Sequence, residues 1–385
     1  MSLQILDPES VDFDKSKVNE DLNFKTKAVS WYTTRNALRC DVGFCGQDDS
    51  AVRYLHLPKS GRVNFNLNRT HPDDDFKLDK YTENEDISDM LSWVQEIGSN
   101  EESFDNAEFI CIRHELVDLL LMPYATSRFN KGVKLYITKA KGKIYIRGAI
   151  ADGELQRKNP KVLNDFELKR TKHGLMFQHF TISDSPTKAP VPDKPYRRGE
   201  STLYIVFEGA VGEHKLLYAS KVKALNAPDD LLNLEQATFT DVRTNLGMSS
   251  SEIKWRKWFE WWGNCITGKM DKVAVGFVGK GSFVGQVKNF EIIPADSMIK
   301  KCEVAHKKDR FRTSESSPKG QYCIDALDKV LSFFKSELKD AKPSEVYVFN
   351  FDPSQSRVAN LERLGTSGEK KIFVMPDWYA NWLKV

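Results

Sequence analysis

The spacing of apolar residues along the chain predicts both helices and strands. In NEDISDMLSWVQEIG, residues 84–98, apolar side chains recur at helical spacing, acidic residues stand in the first turn and a glycine closes the segment. The stretch YCIDALDKVLSFFKSEL, residues 322–338, has the same periodicity and predicts a second amphipathic helix. Shorter apolar or alternating runs predict strands, among them KAVSWYTTRNALRCDVGF, AVRYLHLP, TLYIVFEGAV and EVYVFNF.

Three further segments show how these elements follow one another. EFICIRHELVDLLLMPY predicts a strand that leads into a short helix ending near Pro123, and VKLYITKAKGKIYIRGAI predicts a hairpin that turns at Lys141 and Gly142. EIKWRKWFEWWGNC predicts a helix rich in tryptophan. Because helices and strands alternate without a long linker, we predict one mixed α/β domain over residues 29–385. Residues 1–28 are polar and patternless, which predicts a flexible arm.

Composition narrows the class of protein. Of the 385 residues, 40% are hydrophobic and 11% aromatic, which is enough for a large core, and 29% charge with 15 prolines argues against disorder. The longest apolar run is too short to span a bilayer, and the start MSLQILDPES lacks the features of a secretory signal. We therefore expect no membrane partner and a cytoplasmic or nuclear location, or both.

Neither the net charge nor the cysteine content indicates a functional site by itself. A net charge of +3 is too small to indicate a nucleic-acid partner unless the cations are clustered. The cysteines show no zinc-ligand pattern, so we expect reduced, buried thiols at Cys40, Cys45, Cys111, Cys265, Cys302 and Cys323.

One cluster of cations stands in the predicted strand KLLYASKVKALN, residues 215–226. Alternation along a strand places Lys221 and Lys223 on the same face. On an edge strand such lysines commonly face solvent and prevent unwanted pairing. The alternative is that the two ammonium groups form a site for an anion.

The order of several segments carries a family resemblance. FICIRHELVDLLLMPY, the hairpin, HGLMFQHF, LLYASKVKALN, FEWWGNCITGKMDKVAVGF and FVMPDWYANWL follow one another in the chain. In this order they resemble the DXO or Dom-3-type decapping exoribonuclease family over nearly the whole chain. The resemblance implies a core similar to a PD-(D/E)XK nuclease, with two twisted mixed β-sheets flanked by helices. It also implies hydrolysis of incomplete, unmethylated or NAD-type caps at RNA 5′ ends, and in some members degradation of the RNA body.

Such chemistry uses carboxylates that hold divalent cations beside the scissile phosphate. The family supplies them from three motifs, Gly-φ-x-φ-Glu, Glu-φ-Asp and Glu-φ-Lys, where φ is an apolar residue and x is any residue. An arginine precedes these motifs in the chain and a glutamine follows them. Here the arginine matches Arg113, the glycine motif ends in Gln178, and the Glu-φ-Asp motif reads Lys221-Val222-Lys223. The later glutamine corresponds to Asn264. The resemblance therefore predicts a site whose charge is inverted.

The Glu-φ-Lys motif has two possible registers in LEQATF. One begins at Glu235 and keeps the acid, the other begins at Gln236 and loses it, and neither contains the lysine. At most one motif carboxylate is then retained. We therefore expect no metal cofactor.

Three functions follow from these residues. The first is a pseudoenzyme that binds an RNA 5′ end, as a phosphate or a non-canonical cap, through Arg113, Lys221 and Lys223. The second is an active RNA decapping hydrolase or 5′-3′ exoribonuclease that holds Mg²⁺ or Mn²⁺ in a rearranged site with Glu235 and acids such as Glu208 or Asp241. The third is a module that docks on an RNA-decay protein, such as a 5′-3′ exoribonuclease.

Other side chains of chemical interest are expected to be structural. Tryptophans at helical spacing pack in cores more often than they stack on bases, and this applies to Trp255, Trp258, Trp261 and Trp262. His173 and His179 flank the glycine motif, but isolated histidines are more often structural than catalytic.

Overall fold

The computed structural model describes residues 1–5, 18–35, 46–59, 61–74, 87–125, 132–149, 165–196, 201–247, 249–279, 285–309, 318–343, 345–366 and 374–385. The helices are α1 (Ile87–Glu96), α2 (Glu102–Asn106), α3 (Arg113–Leu121), α4 (Asp165–Thr181), α5 (Trp255–Thr267), α6 (Met298–Lys307), α7 (Gly320–Glu337) and α8 (Asp377–Leu383). The strands are β1 (Ser2–Gln4), β2 (Phe24–Arg35), β3 (Tyr54–Leu55), β4 (Arg62–Asn66), β5 (Phe109–Ile112), β6 (Val133–Ala140), β7 (Lys143–Gly148), β8 (Ile182–Ser183), β9 (Ser201–Val211), β10 (His214–Val222), β11 (Phe239–Leu246), β12 (Met270–Val278), β13 (Gln286–Pro294), β14 (Glu345–Phe351) and β15 (Val358–Thr366).

Two mixed sheets form the framework. The larger has the strand order β1-β15-β14-β6-β7-β5-β10-β9-β2, and the smaller has the order β11-β12-β13-β4. In the larger sheet β5 runs parallel to both β7 and β10, and in the smaller sheet β11 runs parallel to β12. The predicted fold, a mixed α/β domain with two mixed sheets flanked by helices, is confirmed.

The larger sheet is covered by helices on both faces because its central strands are apolar on both sides. Ile110 and Leu217 pack in one cluster with residues of α1 and α8. Phe109 and Leu216, which alternate with them, pack in another cluster with residues of α3, α5 and α7. The tryptophans of α5 belong to that second cluster and are buried, which confirms their structural interpretation.

Helix α4 covers the smaller sheet. Phe177 lies on Gly276 of β12, where a Cβ would come within 2.5 Å of its ring. Gly276 therefore allows the helix to approach the strand closely. Met176 is buried in the same cluster beside Val242 of β11.

Local predictions agree with the structure at two further points. The hairpin between β6 and β7 turns at Lys141 and Gly142, whose φ angles of 48° and 79° are those of a type I′ turn. The thiols of Cys111, Cys265, Cys302 and Cys323 are buried and free, as predicted. Cys40 and Cys45 lie outside the described residues.

The N-terminal segment differs from its prediction. Strand β1 pairs with β15, and β2, which begins at Phe24, pairs with β9 at the edge of the larger sheet. The prediction of a flexible arm over residues 1–28 is therefore wrong for residues 2–4 and 24–28. Short strands gain most of their stability from pairing with distant parts of the chain, and local periodicity does not reveal that pairing. Among the described helices, none is long and apolar enough to cross a membrane.

Candidate functional site

A pocket forms where the two sheets meet, beyond the carboxyl ends of β5 and β10. These two strands are parallel neighbours, so Arg113, directly after β5, lies near Lys221 and Lys223 at the end of β10. Ligands in sheets with parallel strands commonly bind outside these ends. Strand β10 lies between β5 and β9, so its two lysines are not on an edge strand.

The pocket has a volume of about 110 Å³. Four of its side chains are cationic, one is anionic and the others are mainly apolar. The lining residues are Arg113, Lys221, Val222, Lys223, Phe239, Thr240, Asp241, Arg243 and Met270. The structure thus brings together the three cations that the sequence predicted as an anion site.

Lys223 is bonded to the following strand, β11. Its Nζ donates to Oδ1 of Asp241 at 2.9 Å and to the backbone oxygen of Val242 at 2.7 Å. Oδ1 of Asp241 also accepts from the backbone N–H of Val242 at 2.9 Å, and Oδ2 accepts from Nε of Arg243. Both oxygens of this carboxylate, which is only 6% exposed, are therefore engaged by groups of the protein.

The charges of this network stabilise one another. Burial raises the pKa of Asp241, but the charges of Arg243 and Lys223 outweigh that effect and hold the pKa far below its usual value. Burial lowers the pKa of Lys223, and the charge of Asp241 opposes this. Asp241 therefore stays ionised, and its negative charge is compensated inside the protein.

Helix α5 supports both arginines from the side. Nη1 of Arg113 donates to Oδ1 of Asn264 at 2.8 Å and to the backbone oxygen of the same residue at 3.2 Å. Nη1 of Arg243 lies 3.4 Å from Oε1 of Glu260. Asn264, predicted from the resemblance as a site residue, thus orients Arg113, while the side chains that line the pocket itself do not include it.

Several predicted site residues lie elsewhere. Gln178 is half-buried on α4, and Glu208 is half-buried in β9, and neither lines the described pocket. Glu235 is 75% exposed, and one of its oxygens lies 3.3 Å from Nζ of Lys27. These acids are therefore not gathered around the lysines.

The position assigned to the Glu-φ-Lys motif needs correction. Glu235 and Gln236 lie in a turn, and β11 begins only at Phe239, so neither register, starting at Glu235 or at Gln236, falls on the next strand. That strand is β11, where Asp241 and Arg243 line the pocket and Val242 between them packs in the core beneath α4. An acid and a base on either side of an apolar residue have the spacing of the Glu-φ-Lys motif, and the alternating run TFTDVRT shows this spacing in the sequence.

The donor set does not fit a divalent metal ion. Asp241 already accepts hydrogen bonds from Lys223 and Arg243, and Lys221 adds another cation beside it. Within the described residues, no group of three or more histidine, cysteine, aspartate or glutamate side chains could hold a metal. Hard cations require several free oxygen ligands, which this pocket does not offer.

The two histidines have structural partners. Nε2 of His173 lies 2.9 Å from Oδ1 of Asn68, and burial, followed by the charges of Lys169 and Lys172, lowers the pKa of His173 to about 4. Nε2 of His179 lies 3.2 Å from the backbone oxygen of Lys194. Neither lines the pocket at the junction of the sheets.

Known proteins resemble this chain along most of its length. The decapping and exoribonuclease protein of Xenopus laevis is 19% identical over 311 residues, which are 78% of this chain and 72% of the relative. Protein cutoff of Drosophila melanogaster is 21% identical over 361 residues, 89% of this chain and 85% of the relative.

Solved structures show the same fold. Rai1 of Candida albicans, in complex with pU5-Mn²⁺, superposes with a TM-score of 0.74 at 14% identity and covers 100% of this chain and 99% of its own. Rai1 of Scheffersomyces stipitis, in complex with (3′-NADP)+ and calcium ion, has a TM-score of 0.71 at 17% identity. The match covers 100% of this chain and 98% of the S. stipitis chain. A family model described as RAI1 like PD-(D/E)XK nuclease matches residues 38–380. The chain therefore belongs to the RAI1-like PD-(D/E)XK nuclease family.

Proposed function

We propose that this chain is a family member that binds the phosphorylated 5′ end of RNA without hydrolysing it. The observation that carries the proposal is the position of the Lys223 ammonium, which is bonded to Oδ1 of Asp241 and to the backbone oxygen of Val242. The ammonium group of Lys223 thus occupies carboxylate and carbonyl oxygens, which are the ligands that a divalent metal ion would need. Without a metal, no group in the pocket generates the hydroxide that phosphoryl hydrolysis uses.

The remaining cations suit a phosphate group. Asp241 compensates part of the charge of Lys223 and Arg243, while Arg113 and Lys221 add positive charge at the same pocket. Arginine and lysine bind phosphate through charge-assisted hydrogen bonds. Of the charged side chains that line the pocket, four are therefore cationic and one is anionic, a ratio that favours an anion as the ligand.

The size of the pocket limits what enters it. Its volume of about 110 Å³ is several times the roughly 10 to 15 Å³ that a cavity needs to hold one water molecule, so it has room for a phosphate group. It is smaller than the roughly 300 to 1,000 Å³ of typical small-molecule sites. We infer that the terminal phosphate enters and that the nucleoside stays outside.

The relatives support the class of ligand. The C. albicans structure contains pU5 with Mn²⁺, and the S. stipitis structure contains (3′-NADP)+ with a calcium ion. Transferred to this chain, they favour a phosphorylated RNA 5′ end or a dinucleotide-type cap as the ligand. This chain departs from that pattern in the side chains of its pocket, whose donor set does not fit a divalent metal ion.

A second candidate function rests on Asp241, an acid that does line the pocket. In an active hydrolase, Asp241 would have to release Lys223 and Arg243 before it could hold Mg²⁺ or Mn²⁺. Docking on an RNA-decay protein stays a prediction from the family resemblance.

The binding test is a fluorescence-anisotropy titration of 5′-phosphorylated pentauridylate in EDTA at several salt concentrations. We expect Lys221→Ala to weaken binding about tenfold, because a charge-assisted hydrogen bond contributes about 1.5 kcal/mol. We also expect the slope of log affinity against log salt concentration to become shallower by about 0.7 for each phosphate contact that is lost. The matched control is Lys215→Ala, an exposed lysine at the other end of β10, which should leave binding unchanged.

The hydrolysis test uses the same RNA and a capped RNA with Mn²⁺, and both should stay intact. Metal-dependent cleavage that Asp241→Asn abolishes would establish the active alternative instead. Binding that is equal in wild type, Lys221→Ala and Lys215→Ala would contradict the assigned pocket.

A further inference from the structure

Strand β11 has an outer edge that faces away from β12. It is an edge strand of the smaller sheet and pairs only with β12 among the described strands. Lys223 bonds to the backbone oxygen of Val242, so the backbone groups of Val242 point to the outer edge. Because this direction alternates along a strand, the backbone groups of Thr244 and Leu246 point the same way. The N–H of Gly247, with the opposite phase, donates to β12.

The second half of this edge offers backbone groups for another strand. The backbone oxygen of Leu246 accepts from the side-chain amide of Asn245 at 3.1 Å. The N–H and the oxygen of Thr244, and the N–H of Leu246, form no hydrogen bond with another described residue at this edge. Such groups are a template for strand pairing. In an antiparallel pair one residue exchanges two hydrogen bonds with the residue opposite, and Thr244 offers both groups.

A second cavity lies on one face of this edge, between the start of α4 and the smaller sheet. The side chains of Thr244 and Leu246 point to the same face as Val242, which packs beneath α4. The volume of the cavity is about 350 Å³, and Leu246 in its wall is 44% exposed. An apolar side chain of a ligand would gain free energy by covering that surface. The cavity is lined by Glu167, Arg170, Thr171, His173, Thr244, Leu246 and Val278.

The opposite face of the same edge carries a cation. Asn245 points to that face, and Nζ of Lys257, on the first turn of α5, donates to its Oδ1 at 3.0 Å. The same ammonium group lies 5.4 Å from the centroid of the Trp261 ring. Burial lowers the pKa of Lys257, and the charge of Glu260 opposes this, but Lys257 forms no ion pair among the described residues. A partly buried ammonium group of this kind favours an acidic side chain as its partner.

These features suit a peptide better than a nucleic acid. The N–H and the oxygen of Thr244 match the donor and acceptor that each residue of a peptide backbone carries. The backbone of RNA offers acceptors and, as a donor, only the 2′-hydroxyl group. The carboxylate of Glu167 in the wall of the cavity would also repel a phosphate.

We propose that an extended segment of a partner protein pairs antiparallel with residues 244–246 as an additional strand of the smaller sheet. The segment residue opposite Thr244 is apolar and places its side chain in the second cavity, since paired residues share a face. The residue before it in the segment lies opposite Asn245, is acidic and binds Lys257. The recognised element is therefore an acidic residue followed directly by an apolar one in an extended strand. This site does not depend on phosphate binding at the junction of the sheets.

The test uses a fluorescent peptide, Ser-Thr-Val-Glu-Leu-Thr-Ser-Ser, in anisotropy titrations with the full chain. Wild type should bind it. A methyl group on the leucine amide nitrogen should weaken binding about tenfold, because this N–H bonds to the backbone oxygen of Thr244. A methyl group on the glutamate amide nitrogen is the matched control, since that N–H points away from β11 and its loss should leave binding unchanged.

A second experiment changes the protein. Lys257→Gln should weaken binding of the peptide about tenfold, because it removes a charge-assisted hydrogen bond. The same variant should bind the peptide with glutamine in place of glutamate as wild type does, which separates a direct contact from a folding defect. The control is Lys254→Gln, an exposed lysine that precedes α5, which should leave binding unchanged.

Other occupants of the edge give different results. If the peptide does not bind, or if both methylated peptides bind equally, the additional strand is refuted. If Lys257→Gln weakens binding of unphosphorylated pentauridylate but not of the peptide, the edge serves nucleic acid and the proposal is wrong. A dimer in sedimentation that Thr244→Pro dissociates would show that the edge pairs with a second copy of the chain, which also refutes it. Binding of 5′-phosphorylated pentauridylate tests the phosphate pocket separately, so either proposal can fail alone.

Discussion

Two cavities lie on opposite faces of the smaller sheet, the pocket at the junction of the sheets and a second cavity of about 350 Å³ beside α4, and they accommodate buried titratable groups in opposite ways. In the first pocket the carboxylate of Asp241 stays charged because Lys223 and Arg243 bond to both of its oxygens. In the second cavity the imidazole of His173 is buried against Asn68, and burial keeps it neutral at pH 7. A buried charge is tolerated when it is paired, and an unpaired group becomes neutral instead.

The difference has a functional meaning. In the first pocket Asp241 keeps its charge near neutral pH, so its ion pairs with Lys223 and Arg243 persist there. The second cavity presents the neutral imidazole of His173 together with the exposed side chains of Glu167 and Arg170. Substitutions of Asp241, Lys221, Lys223 and His173 test this difference.

The largest effect should come from Asp241→Asn. This change removes the negative charge between Lys223 and Arg243, and breaking a buried ion pair costs about 3–5 kcal/mol because it leaves uncompensated charge. We expect the free energy of unfolding to fall by that amount in urea denaturation. Glu235→Gln is the control, since its exposed pair with Lys27 should contribute less than about 1 kcal/mol. Equal losses in both variants would refute the role of the buried network.

The second prediction tests whether the lysines of the pocket prevent it from binding a divalent metal ion. The double variant Lys221→Glu, Lys223→Asp places two carboxylates beside Asp241, so we expect Mn²⁺ to stabilise it. A ligand at about 100 times its dissociation constant adds roughly 2.7 kcal/mol, visible as a rise in melting temperature. Wild type and the single variant Lys223→Asp should not respond, because cations remain around the carboxylates in both. A wild-type response to Mn²⁺ would show that the pocket already holds metal.

A smaller effect concerns pH and His173. Its pKa in the folded protein is about 4, below the usual 6.5. As the pH falls below 6.5, the unfolded chain takes up a proton that the folded chain does not, so the free energy of unfolding decreases until about pH 4. The difference between the two pKa values corresponds to at most about 3 kcal/mol, and because solvent in the cavity screens the imidazole we expect His173 to account for about 2 kcal/mol of that decrease. His173→Gln should remove this contribution in thermal melts between pH 4 and 7, whereas His179→Gln should preserve it.

Much of the fold was predictable because it depends on local periodicity. The apolar spacing in residues 322–338 identified α7, and the Lys141-Gly142 pair identified a turn that needs positive φ angles. The strand character of residues 215–222 was equally clear. By contrast, β1 was missed because three residues make a strand only by pairing with β15.

The candidate site was predictable only in part. Arg113, Lys221 and Asn264 were identified from motif positions, and the structure places them in or beside one pocket. Asp241 was considered only as one of several acids for a rearranged metal site. The two registers that the resemblance offered begin at Glu235 and at Gln236, which lie in the turn before β11, and the side chain of Glu235 is 75% exposed.

Local sequence was enough to predict most of the helices and strands and to show two lysines at the end of β10, since both are properties of residues close together in the chain. The partners of those lysines depend on the tertiary structure. Lys223 meets Asp241 because the end of the larger sheet touches the edge strand of the smaller one, 18 residues later in the chain. Whether a charge is paired, buried or open to a ligand depends on such contacts between sheets, and these contacts determine its energy.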